Sequence, residues 1–362
     1  MEGLVVMSGA RPDAAFWRGR RVLLTGHSGF KGGWLAIWLH RLGARVTGLS
    51  LPPDSDPNLY SLARVGELCD SHFADIRDAD EVLACMQDAR PEVVFHLAAQ
   101  ALVMAGYSDP PGTYATNVMG TVHVLEAIRR VEGVRVAVMV TTDKVYRNRE
   151  WSWAYREDDE LGGHDPYSAS KAASEIAIAS YRAAFLANHG VAIGSARAGN
   201  VIGGGDWARD RLLPDAMRAW ISGQPLIIRR PDAVRPWQHV LEPLSGYLVL
   251  AQTLWSRPDA AAAYNFGPAA DDAATVRHVV ELARRAFGRG EVHCVNGYLT
   301  PHEAGQLSLE NAKARTTLNV TPRWRLARAI EATTCWYRQL AEGADARSLC
   351  TSQIEAYEAF TP

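Results

Sequence analysis

Tyr167 and Lys171 stand four residues apart in Tyr167-Ser168-Ala169-Ser170-Lys171, within a stretch that reads as helix from His164 to Leu186. Residues at i and i+4 share a helical face. If that face looks into a pocket, the ammonium lowers the phenol's pKa and makes it a base usable near neutral pH. The same spacing also arises in helices where an exposed lysine merely borders a half-buried tyrosine. Its company argues for chemistry. Upstream lie a glycine turn, Gly26, Gly29 and Gly32 in G-x-x-G-x-x-G spacing, and the strand-end stretch Thr141-Thr142-Asp143-Lys144.

The elements that position these groups alternate in type. Arg21 to Thr25 is a short apolar strand, followed by Gly26-His27-Ser28-Gly29-Phe30-Lys31-Gly32-Gly33 and a helix with apolar Trp34, Ile37, Trp38 and Leu42. Glycines permit close backbone approach, and a helix N-terminus offers free N–H groups and a positive dipole end, which together suit a pyrophosphate. A second strand, Arg45 to Leu51, ends in Leu49-Ser50-Leu51 without the acid that often marks an NAD site, so these residues leave NAD against NADP open. A third strand leads to Asp75-Ile76-Arg77-Asp78 and a helix to Ala89. Pro91 to Ala99 is a strand ending in small residues, Tyr114 to Arg130 a helix, and Val134 to Val140 a strand delivering Thr141 to Tyr146. Such alternation predicts a doubly wound parallel α/β sheet of Rossmann type with ligands at the carboxyl ends of its strands.

Beyond Gly190 the composition changes. Ser195-Ala196-Arg197-Ala198-Gly199-Asn200 ends a last regular strand, Gly203-Gly204-Gly205-Asp206-Trp207 is a loop, and arginines thicken. Most belong to a solvated surface. Arg211 and Arg235 sit among apolar residues and prolines and are candidates to face a ligand phosphate. Tyr264-Asn265-Phe266 reads as a further strand. The expected organisation is an N-terminal tail (1–15), a Rossmann lobe (16–198), a smaller α/β substrate lobe (199–345) from which about 236–266 returns to the first lobe, and a C-terminal tail (346–362).

The chain has 362 residues, 48% hydrophobic and 22% charged, with a formal net charge of −2, so no overall field recruits nucleic acid or an anionic membrane. Five scattered cysteines without C-x-x-C spacing predict neither a disulfide framework nor a metal site, and fit a reducing cytoplasm. No run approaches a membrane span, and the first fifteen residues lack the pattern of a signal peptide.

Taken together the motifs resemble the extended short-chain dehydrogenase/reductase proteins that modify nucleotide sugars, over about Phe16 to Tyr337. The glycine turn and the Tyr/Lys pair belong to the whole superfamily. Gly203-Gly204-Gly205-Asp206-Trp207 and Arg235-Pro236-Trp237-Gln238-His239 are narrower and resemble its 4,6-dehydratases. The resemblance implies a bound NAD that is not consumed, held by Gly26, Ser28, Gly29, Phe30, Lys31 and Gly32, by Asp75, Ile76, Leu97, Ala98, Ala99 and Thr116, and by Tyr167 and Lys171. It implies a nucleotide-hexose substrate, CDP-glucose above all, contacted by Gln100, Asn200, Trp207, Arg211, Arg235, His239 and His302. Tyr167, with Lys171 and Thr142, would take the 4-hydroxyl proton while the C4 hydride leaves; the 4-ketone acidifies C5; Asp143 and Lys144 stand where the family keeps the groups that remove the C5 proton and protonate the departing 6-hydroxyl. Related dTDP-sugar enzymes carry Asp-Glu at this place, and Met104 stands where an Arg is usual. A lysine serves as base only if burial or nearby positive charge depresses its pKa; the alternative is that Lys144 pairs with Asp143. A homodimer or homotetramer is implied, through the helices 114–130 and 167–186, with Val118, Val122, Leu125, Ile176, Tyr181 and Phe185 as contacts. Rival functions are a 4-epimerase, which has no need of Asp143 and Lys144, and a silent NAD-binding sensor, which would be expected to lose Tyr167 or Lys171.

Overall fold

The computed structural model describes residues 9–295 and 306–361. β1 (Arg21–Thr25) buries its last four residues, and β5 (Val136–Val140) and β6 (Ala192–Ala198) bury all of theirs. Strands covered on both faces read as unbroken apolar runs, the mark of a parallel sheet. With β2 (Arg45–Ser50), β3 (Asp70–Phe73), β4 (Val93–His96) and β7 (Ala263–Phe266) they form one seven-stranded sheet ordered β7-β6-β5-β4-β1-β2-β3, all parallel. The order reverses between β1 and β4. A crevice opens at the carboxyl ends of strands at such a switch point.

Side chains alternate between two cores. Val22, Leu24, Phe95 and Val138 face one side, under α1 (Phe30–Arg41) with Trp34, Ile37 and Trp38. Leu23, Val94, Ala137 and Met139 face the other, under α2 (Ala79–Ala89), α3 (Gly120–Arg130) and α4 (Pro166–Tyr181). The smaller lobe holds α5 (Leu212–Ile221), a parallel pair of Leu226–Ile228 with Val292–Cys294, α7 (Val276–Phe287) and α8 (Leu326–Ala341). Between them in sequence, α6 (Leu241–Ser256) packs back on β5 and β6.

Several expected boundaries move. α4 starts at Pro166, because Asp165 caps it by accepting from the Ser168 N–H, and it ends in a π turn over Arg182–Leu186. The helix expected from Tyr114 begins at Pro110, where Asp109 caps two prolines that are preorganised for a first turn, and passes through a π turn at Ala115–Met119 before α3. Leu125, expected at a dimer surface, is wholly buried under its own sheet. The C-terminal "tail" is α9 (Ala346–Ala359), whose Cys350, Ile354 and Tyr357 share one buried face. It packs on α1, where the Trp38 indole donates to Glu358 at 2.8 Å and Arg41 pairs with Glu355 at 2.9 Å. Arg11, in the expected N-terminal tail, donates to the carbonyls of Glu358 and Phe360. Among the described residues no helix is long and apolar enough to cross a membrane.

Glu242 ties α6 to the far end of the chain. Its carboxylate accepts from the Arg323 and Trp324 N–H groups at 3.1 and 2.6 Å and from the Tyr357 hydroxyl at 2.9 Å. Burial nevertheless pushes its pKa from 4.5 up to about 7, against those hydrogen bonds. The folded protein therefore binds a proton that the unfolded chain gives up. The stabilisation is complete below the unfolded pKa and is lost as pH rises through about 7. Melting temperature should fall across this window, and Glu242→Gln should flatten the fall; an unchanged slope in the variant would show that other groups set it.

Candidate active site

The cofactor cradle is built from contacts only glycine allows. Gly26 has φ +81°, and a Cβ there would stand 2.7 Å from the Ala98 nitrogen; a Cβ at Gly32 would stand 2.0 Å from the Gly26 carbonyl oxygen. Gly29 caps α1 with no side chain to occupy the helix's first N–H groups. Phe30 and Lys31 open the helix and face the crevice end of the sheet. Leu97, Ala98 and Ala99 leave β4 half-exposed beside the turn. Thr25 holds the two together: its hydroxyl bonds His96 Nδ1 at 2.7 Å and accepts from the Leu97 and Ala98 N–H groups, while His96 Nε2 meets Thr121 at 3.1 Å. Burial pushes His96 down to about 3, so the imidazole is neutral. A narrow backbone cradle at a bare helix N-terminus fits the pyrophosphate of a dinucleotide.

At the outer edge, the Ser28 hydroxyl is engaged with Ser50 at 2.6 Å and the Leu51 carbonyl at 2.7 Å, joining the glycine turn to the end of β2. Asp75 forms a short ion pair with Arg77, and Ile76 packs under Gly120. Thr116 lies in the π turn before α3.

β5 delivers Thr142 to the crevice. Its hydroxyl donates to Asp143 Oδ1 at 2.9 Å, caps the following short turn through the Lys144 N–H, and lies close enough to the Tyr167 phenol to influence its ionisation. Asp143 is fully buried, and its Oδ2 has no hydrogen-bond partner among the described residues. That oxygen lies against Gly199, where a Cβ would come within 1.9 Å. Lys144 is half-buried, and among the described residues no ion pair joins it to Asp143. Lys171 Nζ donates to the Val140 carbonyl at 3.3 Å.

The electrostatics correct one expectation. Burial raises the Tyr167 phenol to about 12, with Thr142 and then Arg211 opposing, and Lys171 Nζ is turned to a strand carbonyl. Burial also lowers Lys171 to about 8, opposed by Glu175. Lys31 falls to about 8 as well, through burial and then the positive charges of Arg211 and Lys171. Arg211 pairs with Asp206 at 2.8 Å and lies within electrostatic reach of Tyr167.

The other expected substrate residues divide. The Trp207 indole N–H is buried without a partner among the described residues, with its ring edge-on to Tyr337. Asn200 takes a left-handed backbone at φ +44° beside Gly199. Arg235 is buried on a two-residue strand paired with Ala274–Thr275. His239 does not face the crevice: it is fully buried between Trp34 and Trp324, and burial pushes it down to about 3. Gln100 turns its amide inward, to Thr113 and the Leu102 N–H, bracing the loop after β4. His302 lies outside the described residues. The residues that sequence reasoning did not single out are Gly199, against Asp143, and a buried pair, Glu175 with Arg197, beneath Lys171. Glu175 extends the i, i+4 series from Tyr167 and Lys171; nothing in the local sequence ties it to Arg197.

Known proteins are similar to this chain in sequence and in fold. A family model described as "NAD dependent epimerase/dehydratase family" matches residues 22–267. A CDP-glucose 4,6-dehydratase of Salmonella typhimurium is 44% identical over 355 residues, covering 96% of this chain and 99% of the relative. The fold matches a UDP-glucose 4-epimerase of Thermotoga maritima at TM-score 0.76 and 20% identity, over 88% of this chain and 99% of that one. It matches a dTDP-glucose 4,6-dehydratase of Streptomyces venezuelae, solved with NAD, at TM-score 0.76 and 24% identity, over 88% and 97%. With a glycine cradle, a Thr/Tyr/Lys cluster and a match of this length, the chain belongs to the NAD-dependent epimerase/dehydratase family of extended short-chain dehydrogenase/reductases.

Proposed function

We propose that the chain is a hydro-lyase that converts CDP-D-glucose to CDP-4-dehydro-6-deoxy-D-glucose. The observation that carries this reading is the Asp143 carboxyl, buried close to Tyr167 with one oxygen accepting from the Thr142 hydroxyl and the other open. Oxidation at one carbon needs a base and a hydride acceptor; loss of water across C5 and C6 needs a further proton acceptor and donor. The relative 44% identical over nearly the whole chain is a CDP-glucose 4,6-dehydratase.

NAD held in the cradle of Gly26, Gly29 and Gly32 would supply a hydride acceptor for C4 and a hydride donor for C6. Tyr167 receives the 4-hydroxyl proton. Burial raises the phenol to about 12, and Thr142 and the Arg211 charge work against that rise. The 4-ketone acidifies C5–H. In this reading Lys144 takes that proton, Asp143 protonates the leaving 6-hydroxyl, and Lys144 gives a proton back to C5 when hydride reaches C6. Arg211, buttressed by Asp206, serves the substrate's phosphates. Incubation with a panel of nucleotide sugars should yield the 4-keto-6-deoxy product from CDP-glucose without net NADH, and Tyr167→Phe should lower the rate about 10²–10⁴-fold. Stoichiometric NADH release would instead identify a dehydrogenase, and exchange of C4 configuration alone an epimerase.

The division of roles is testable separately. Asp143→Asn keeps the hydrogen-bonding shape without a proton to give, so enzyme-bound NADH should accumulate while product falls. Lys144→Met should also accumulate NADH, with no solvent deuterium entering C5; wild-type exchange in that variant would exclude Lys144 as the base.

The same reading includes a homodimer, or a dimer of dimers, in the cytoplasm. Met119, Ile176 and Phe185 expose 47%, 61% and 42% of their surface along the π turns and α4, and all five cysteines are unpaired. Light scattering at micromolar protein should give at least the dimer mass; a monomer would reject the assembly and leave the chemistry untouched.

A further inference from the structure

Tyr167, Lys171 and Glu175 fall on one face of α4 at successive i, i+4 positions. Glu175 is 3% exposed, as is Arg197 on β6, and the two pair at 2.9 Å. The carboxylate takes two more donors: the Thr141 hydroxyl on Oε1 at 2.5 Å and the Ser195 hydroxyl on Oε2 at 2.8 Å. Arg197 donates its other arm to the Tyr146 hydroxyl and the Glu157 carbonyl, both at 2.9 Å, and Tyr146 passes the chain to Asn265 on β7. The donors on Glu175 begin where the catalytic turn begins. Thr141 immediately precedes Thr142, and Val140, whose carbonyl receives Lys171, precedes Thr141.

We propose that Glu175 is a positioning residue of the catalytic centre, fixing the β5 end through Thr141 and supplying the buried negative charge that keeps Lys171 an ammonium. Two physical points support it. A buried ion pair contributes little net stability compared with apolar packing of the same volume, because both ions lose their hydration; as a mere strut the pair is a poor solution. And Lys171 needs an anion. Its neighbours on the crevice side include Lys31, which adds positive charge, and its own hydrogen bond goes to a neutral carbonyl. Glu175 is the group whose charge opposes the burial of Lys171, and its carboxyl is held below the ordinary range by Arg197, Thr141 and Ser195 even though burial works against ionisation. The charges facing Glu175 are Lys171 from its own helix and Arg197 from β6; Arg182, from the π turn that follows α4, also feels its charge. The inference rests on the proposed chemistry only in assigning Lys171 a role; its test does not.

The chain contains four lysines, Lys31, Lys144, Lys171 and Lys313, so ε-13C-lysine labelling gives four side-chain titrations, assigned by Lys→Arg variants. Glu175→Gln keeps the shape but removes the charge. The Lys171 amine should then lose its proton at least about one pH unit lower, tenfold in proton affinity, while Lys313 titrates unchanged. In turnover, kcat should fall and its pH profile should shift with Lys171, at unaltered KM. If the single variant does not fold because Arg197 is left unpaired, the double variant Glu175→Gln with Arg197→Met removes both charges, and Lys171 should again lose its proton at lower pH, by less than in the single variant because a positive charge has gone as well. Lys171 titrating as in the wild-type protein, in whichever variant folds, would overturn the proposal and leave Glu175 a structural residue. The titrations are read without substrate, so failure to turn over CDP-glucose would be a separate result.

Discussion

A Cβ at Gly26 would meet the Ala98 backbone at 2.7 Å, and one at Gly32 would meet the Gly26 carbonyl at 2.0 Å. These two approaches bring the start of α1 against the chain leaving β4, at the point where the strand order reverses. The remaining geometry follows from them. With the turn pressed onto β4, the Thr25 hydroxyl reaches His96 and two backbone N–H groups at once. His96 then reaches Thr121 on α3, and Asn117, one turn earlier, bonds the Gln100 backbone and Ser170 on α4. The helix that carries Tyr167 and Lys171 is thus located relative to the glycine turn through an unbroken series of buried polar contacts. Such networks are costly when half satisfied and rigid when complete.

The identity of the cations fits this picture. Of 38 Lys and Arg residues only four are lysine, and Lys31, Lys144 and Lys171 belong to the crevice. Elsewhere the surface pairs, from Arg41 with Glu355 to Arg325 with Asp271, use arginine. A guanidinium stays charged at any physiological pH and suits fixed pairing; an amine moves into the neutral range when buried. Burial lowers both Lys31 and Lys171 to about 8. Three of the four lysines thus lie near Thr142 and Tyr167, with Arg197 and Arg211 held as permanent charges against Glu175 and Asp206.

What the sequence made legible follows the range over which each interaction acts. The strands are apolar runs, and their alternation with helices gave the doubly wound order. Thr142, Tyr167 and Lys171 were legible as one neighbourhood because the glycine turn and the strand end Thr141–Lys144 accompany a Tyr/Lys spacing that alone is common in helices. His239 was misread because Arg-Pro-Trp-Gln-His looks polar along the chain, whereas Trp34 and Trp324, far away in sequence, enclose it. The C-terminal segment looked like a tail because its apolar face is only three or four residues wide and becomes meaningful against Trp38 on α1. The lowered phenol expected of Tyr167 failed for a similar reason: the i, i+4 rule places Lys171 on the right face, but the Val140 carbonyl decides where its ammonium goes.

The two lobes share one core, and that limits how the crevice can close. Trp34 of α1 donates to the Gly204 carbonyl at 2.9 Å, Trp336 of α8 packs so closely on Gly204 that a Cβ there would clash, and Tyr337 bonds the Asp206 carbonyl. The same apolar cluster continues from Val22 and Phe95 through Trp34 to Trp220 and Ile330. A rigid-body hinge between the lobes would have to part these contacts, each large aromatic costing several kcal/mol to uncover. Arg211 is different: its side chain is 35% exposed and bonds a carboxylate on its own loop. The packing thus fixes the separation between the helix end at Gly29 and the turn that carries Asp143, and leaves side chains and loops at the crevice rim as the parts that can move without uncovering the core. That fixed separation is what hydride and proton transfers require, since misplacement by about 1 Å is enough to cost a hundredfold in rate.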